Sequence, residues 1–302
     1  MASLSKLLDP TKPRTPLYFF SHGGPTFMYD DKNTIGEKGA FDKTKDIGLK
    51  ILNEIKPNFI IIVSAHWESN YKDSVEISIS NEENSLGQLE NKLIYDFYGF
   101  PSFMYKEQFH TKNDISLAKH IQNTLIEGGI DAKLSKRGID HGVWVPFKVA
   151  FSYHKLNDEY YDLNIPLIQI SLGQNPNDFE FHSKLGSILD KYRSLNGLVV
   201  TSGMSVHNLR DLGLGFSYGN SSLPYVSKFN KLLTNIITNF KGEERLIQLN
   251  ELKLNDLLYQ AHPSLEHFVP IVVATGSSFN TKAKELYNAD VGSLGWGIYQ
   301  FD

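Results

Sequence analysis

Five short runs rich in β-branched and aromatic residues recur along the chain: LYFF (17–20), FIIIV (59–63), VEISIS (75–80), PLIQIS (166–171) and LVVTS (198–202). Several are apolar from end to end, as expected of a strand whose sheet is covered on both faces. Segments of helical period lie between them. Ile47, Ile51 and Ile55 repeat at i, i+4 and i+8, as do Leu117, Ile121 and Leu125, whose run ends at Gly128-Gly129, a pair suited to a helix C-terminus. A third apolar stripe, Tyr225, Phe229, Leu232, Leu233, Ile236, Ile237 and Phe240, follows Pro224, a first-turn residue. Covered strands alternating with amphipathic helices predict an α/β fold: a single-domain αβα sandwich around a mixed, largely parallel central sheet.

No repeat, low-complexity tract or Pro/Gly/Ser-rich linker divides the 302 residues. They read as an N-terminal extension, 1–15, and one domain, 16–302, near the upper size for a single core. The stretch GLGFSYGNSS (213–222) reads as a surface loop inside that domain. A net charge of −4 gives no basic footprint for nucleic acid. With no cysteine, disulfides, thiolate metal sites and a cysteine nucleophile are all excluded, so any metal must be held by nitrogen and oxygen. The longest apolar runs are too short to span a bilayer and no signal-like segment opens the chain, which predicts a soluble, cytoplasmic protein without a membrane partner. Oligomeric state leaves no trace in the sequence.

Ligands in open α/β sheets collect beyond the carboxyl ends of strands. His22 follows LYFF by one residue, in SHGGP, where two glycines and Pro25 set a tight turn. His66 follows FIIIV in SAHWE, and His207 follows LVVTS in GMSVHNLRD. His141 sits in a turn-like DHG, and His267 lies just ahead of Pro270, which opens the helix through IVVATG. One histidine after a strand is usually a hydrogen-bonded structural residue; their recurrence at element ends points to one convergent site. His120, His154 and His182 sit among polar residues and read as solvated, His110 stays undecided, and His262 rivals His267 because both flank PSLE. GFSYG (215–219) matches the G-x-S-x-G elbow of serine hydrolases, but DLGLG before Ser217 is a poor strand, so the elbow context fails. No phosphate-binding loop occurs.

The ordered motifs FFSHGGPTFM, SAHWES, YDFYGFP, GIDHGVWVPF, QISL, SGMSVHNLRDL and PSLEHFVPIVVATG resemble those of the DODA-type extradiol aromatic ring-opening dioxygenases, relatives of the class III LigB dioxygenases. The resemblance runs from residue 16 almost to the C-terminus. It implies a LigB-like α/β fold, an oxidoreductase that opens a small, DOPA-like catechol with O2 to a muconic semialdehyde-type product, and one zinc ion per chain. It also implies His22, His66 and His267 as metal ligands, with His207 as the catalytic acid/base and His141 as the other active-site histidine. His262 departs from the pattern ahead of that last motif.

The chemistry suits these residue types. Three neutral imidazoles leave metal positions open and leave the ion its full charge, which lowers the pKa of a chelated catechol. A base near neutral pKa must take the second hydroxyl proton, and His207 and His141 are the candidates. Asp140 and Asp211, next to those histidines, either orient a ring nitrogen or face solvent, solvent being the commoner fate. Three imidazoles favour zinc, whereas oxygen activation favours Fe2+, often with two histidines and a carboxylate, which would bring in Glu266 in place of His267. A zinc hydrolase using a metal-activated water, or a non-catalytic metal-binding protein, would draw on the same cluster. The aromatic stretch YDFYGF (95–100) and Trp144 line the pocket or belong to the core, and Arg210 either receives a substrate carboxylate or joins a surface ion pair.

Overall fold

The computed structural model describes residues 4–30, 36–156, 159–217 and 222–302. Its main sheet contains β1 (Leu17–Ser21), β2 (Phe59–Glu68), β3 (Ser74–Ile79), β4 (Asp131–Lys136), β5 (Leu167–Leu172), β6 (Gly197–Gly203), β8 (Ala283–Tyr287) and β11 (Ile298–Phe301). The order is β4-β3-β5-β2-β6-β1-β11-β8. β5, β2, β6 and β1 run parallel at the centre, β3 and β4 form a parallel pair turned against them, and β11 and β8 are antiparallel additions at the other edge. A small second sheet joins β7 (Val206–His207), β9 (Asp290–Val291) and β10 (Leu294–Gly295). The expected mixed, largely parallel α/β architecture is present.

Alternate side chains of the central strands feed two cores. Phe59, Ile61 and Val63 of β2 pack on one side with Phe19 and Val199; Ile60 and Ile62 pack on the other with Tyr18, Phe20 and Val200. Burying each of these side chains contributes on the order of 1.5–3 kcal/mol. Two helical layers supply the cover: α1 (Leu4–Leu7), α3 (Ile115–Glu127), α5 (Phe179–Leu189), α7 (Pro224–Asn239), α8 (Gly242–Glu251), α9 (Asp256–Ala261) and α10 (Val269–Gly276) on the first, α2 (Lys38–Lys50) and α4 (His141–Phe151) on the second. Helix starts follow local chemistry. The Asp114 and Asp178 side chains accept from backbone N–H groups at the heads of α3 and α5, and Pro224 occupies the first turn of α7. Gly128 and Gly129 end α3 as the sequence suggests, Gly129 with φ +78°.

Two expectations are corrected. The 213–222 stretch is not all loop: α6 (Leu212–Ser217) opens it, and 218–221 lie outside the described residues. Ser217 therefore ends a helix and is not set on the strand-to-helix turn of a nucleophile elbow. His66 does not follow its strand either, because β2 continues through it to Glu68. No helix among the described residues is long and apolar enough to cross a membrane.

Candidate functional site

Because β2, β6 and β1 are parallel neighbours, their carboxyl ends share one rim, and that rim carries the site. His22 leaves β1 with its N–H donated to the Gly203 carbonyl of β6, at 3.0 Å. Gly23 follows at φ +63°, where any side chain would run into the Trp296 ring, so the tight turn depends on glycine. At the end of β6, Gly203 lets the His267 carbonyl pack where a Cβ would stand, and the Met204 N–H donates to that carbonyl at 3.0 Å. This close approach brings His267, two residues ahead of α10, over the strand ends. His207 is the last residue of β7, and His141 the first of α4.

All five sequence-selected histidines meet. The Nε2 atoms of His22 and His267 each lie 3.1 Å from Nε2 of His66. His207 stacks on His267 with ring centroids 3.6 Å apart, and the His141 ring is 4.0 Å from that of His66. The Ser202 hydroxyl spends its single proton on the Gly142 carbonyl, so it can only accept from Nδ1–H of His22, 3.0 Å away. Nδ1 of His267 likewise faces a Glu266 carboxylate oxygen at 3.0 Å, and Nδ1 of His66 faces Asp96 at 3.6 Å. The outer nitrogens of His22 and His267 therefore have hydrogen-bonded oxygen partners and that of His66 faces one, an arrangement of tautomers that turns the Nε2 lone pairs toward one another. Burial, reinforced by the neighbouring histidines, holds the pKa of His22, His66 and His267 well below the ordinary value, so the rings are neutral at pH 7.

Three lone pairs in close contact repel unless a cation lies between them. Nitrogens about 2.1 Å from one ion stand roughly 3.0–3.4 Å apart, so the observed spacing fits a shared metal. The three residues form a group that could hold a metal ion. Two further groups overlap it, His66-Asp96-His141 and His207-Glu266-His267. His262 belongs to none of these groups among the described residues; it is buried with Nε2 against the Ser205 carbonyl at 3.0 Å. Glu266 holds His267 from outside and also accepts from the Ser264 hydroxyl.

Asp96 escaped the sequence reading. Its Oδ1 accepts from both the backbone N–H and Nδ1–H of His141, each at 2.9 Å, and its Oδ2 faces His66. Burial pushes the Asp96 carboxyl up, but the hydrogen bonds and nearby rings outweigh it and hold the group below its usual range. The only sequence signal was an acid inside an aromatic run, YDFYGF. Asp140, in contrast, neither faces solvent nor orients His141. It is fully buried, accepts from Ser64 and Gln169 and pairs with Arg137, because the N-cap position of α4 turns its side chain under β2. Asp211 serves its own turn, accepting from Asn208 and Tyr225. His182 is another correction: it is buried, accepting from the Gly173 N–H through Nε2. His120 and His154 are half-buried, on Tyr192 and the Lys45 carbonyl. Trp144 is core, whereas Phe97, Tyr98 and Phe100 line the cavity. That cavity, about 640 Å³, opens directly over the histidines.

Residues 16–298 match the sequence profile described as the catalytic LigB subunit of aromatic ring-opening dioxygenase. The chain belongs to this family. It is 33% identical to a 4,5-DOPA dioxygenase extradiol-like protein of Schizosaccharomyces pombe, over 91% of this chain and 89% of the relative. It is 30% identical to a 4,5-DOPA dioxygenase extradiol of Beta vulgaris, over 94% and 95% respectively. A crystal structure of an uncharacterized protein from Escherichia coli K12 superposes with a TM-score of 0.71 at 21% identity, covering 96% of this chain and all of that one, a likeness of fold. Family membership supports an extradiol-type dioxygenase; members of this family are metal-dependent and their class implies a small aromatic substrate.

Proposed function

We propose that residues 16–302 form the catalytic domain of a metal-dependent extradiol dioxygenase that opens a small DOPA-like catechol with O2 to a muconic semialdehyde-type product. In this reading His22, His66 and His267 hold the metal, and His207 and His141 move protons. The observation that carries it is the trio of inward Nε2 atoms under an aromatic-lined cavity, those of His22 and His267 each 3.1 Å from that of His66. When bound, a divalent ion there supplies chelation of both catechol oxygens and lowers their pKa. The cleaved carbon–carbon bond ends as one aldehyde and one carboxylate, both atoms of O2 enter the product, and no external reductant is consumed.

The chain's own residues divide the remaining work. His207 makes no hydrogen bond through its ring among the described residues and lines the cavity, and burial pushes its pKa down to about 4, so it stands as a neutral acceptor for the second hydroxyl proton. His141, with Nδ1–H fixed on Asp96, keeps Nε2 free to accept and return a proton. Phe97 and Phe100 offer apolar faces to the substrate ring. The three-imidazole set suits zinc, and oxygen chemistry suits Fe2+.

The test is to load metal-free protein anaerobically with Fe2+ or Zn2+ and then admit O2 and a panel of catechols. A yellow ring-opened product supports the reading and names the working metal. No product with either ion, or ester hydrolysis indifferent to oxygen, overturns it. His207→Ala should keep its metal while turnover falls by about 10²–10⁴-fold; unchanged turnover removes His207 from the chemistry.

A further inference from the structure

The cavity is lined by three charged side chains besides its histidines: Asp96, Glu266 and Arg210. Both carboxylates are engaged, Asp96 by His141 and His66, Glu266 by His267 and Ser264. Arg210 is hydrogen-bonded through its backbone N–H, while its guanidinium takes part in no ion pair or hydrogen bond among the described residues, so the surface pair that was one of its two expected fates is not formed. It is exposed to the cavity mouth between Leu209 and Leu212, which also line the cavity.

The backbone beneath it is fixed. The Asn208 side-chain oxygen accepts from the N–H groups of Arg210 and Asp211, and its amide donates to Asp211 and to the Gln260 carbonyl, at 2.8–3.2 Å. The Tyr225 hydroxyl donates to the same Asp211 carboxylate. This clamp sets Arg210 three residues beyond His207 on the same cavity wall. A guanidinium with five donors and no partner among the described residues, on the wall of a pocket whose two carboxylates are both engaged, matches a planar anion in a way no other lining group does. The cavity's volume also exceeds what a bare catechol ring fills.

We infer that Arg210 is the specificity residue of this pocket, receiving a carboxylate carried on the side chain of the catechol. The inference rests on the ring-cleavage reading for the catechol itself and on Arg210's free fork for the carboxylate. A charge-assisted pair of this kind discriminates by roughly 10- to 100-fold.

The experiment compares 3-(3,4-dihydroxyphenyl)propionate with 4-methylcatechol in wild type, Arg210→Gln and Arg210→Lys. Turnover is measured on metal-loaded enzyme, and binding by calorimetry on metal-free protein. For Arg210→Gln the ratio of kcat/KM values, propionate over methylcatechol, should fall 10- to 100-fold, mostly through KM, and the calorimetric preference for the propionate should vanish. Arg210→Lys should recover part of both. A ratio and a calorimetric preference within twofold of wild type in Arg210→Gln overturn the inference, and a merely structural role would lower both substrates alike. If wild type opens neither catechol, the ring-cleavage reading fails, while calorimetry still decides whether Arg210 receives the carboxylate.

Discussion

Asp96 shows how one side chain can set the state of two others. One oxygen takes two N–H groups of His141, and the other faces Nδ1 of His66, so a single carboxylate fixes the tautomer of a candidate proton carrier and bears on the outer nitrogen of a candidate ligand. Asp96→Asn preserves the shape but replaces one acceptor with an NH₂ group, which meets a ring N–H head-on or forces that ring to change tautomer. Losing an outer partner of this kind costs about 10- to 100-fold in metal affinity. Competition against a chromophoric chelator measures it, and an affinity within twofold of wild type would show that Asp96 does not orient His66. Residue types alone pointed to the five histidines because each lies at or near an element end. Asp96 was hidden because the chain between 80 and 114 is mostly irregular, and no periodicity marks which side chain turns inward.

Among the elements, α5 depends on a histidine that sequence context misplaced. His182 donates through Nδ1 to the Asp178 carbonyl and accepts through Nε2 from the Gly173 N–H, joining the helix to the end of β5. Only the neutral ring satisfies both bonds, and burial pushes its pKa from 6.5 down to about 4. Between those values the unfolded chain binds a proton that the folded one refuses, so unfolding free energy falls as pH drops. This one group accounts for up to about 3 kcal/mol of loss between pH 6.5 and 4. Urea unfolding at pH 7 and pH 4.5 should show a smaller acid loss in His182→Asn than in wild type, and equal losses would remove His182 as a source of acid sensitivity. Legibility at this scale follows burial. The central strands announced themselves because both faces are covered; the edge strands β4, DAKLSK, and β8 did not, since edge strands carry polar residues and lack a continuous apolar run, and β9 and β10 are only two residues each. His182 looked solvated because Glu180, Ser183 and Lys184 lie near it in sequence, and the helix turns Glu180 and Lys184 to solvent while His182 faces inward.

For the molecule as a whole, the candidate ligands come from near the two ends of the chain and meet only because β1 and β2 flank β6 and α10 closes over them. An ion held by His22, His66 and His267 would therefore act as a cross-link between the first strand and the last long helix, present only in the folded state. Binding linkage makes the size calculable: free metal at a thousandfold above its dissociation constant adds about 4 kcal/mol to stability. For a chain of this length each kcal/mol moves Tm by about 2 °C, so chelation should lower Tm by about 8 °C. His66→Ala removes the nitrogen shared by both close contacts, and it should melt at the same temperature with and without chelator. His262→Asn, whose ring contacts the Ser205 carbonyl and not the trio, should keep the full chelator response even if its baseline Tm is lower. Scanning calorimetry of these three proteins separates the cases. A chelator response that survives His66→Ala would place the ion elsewhere, and one lost in His262→Asn would make that histidine part of the centre.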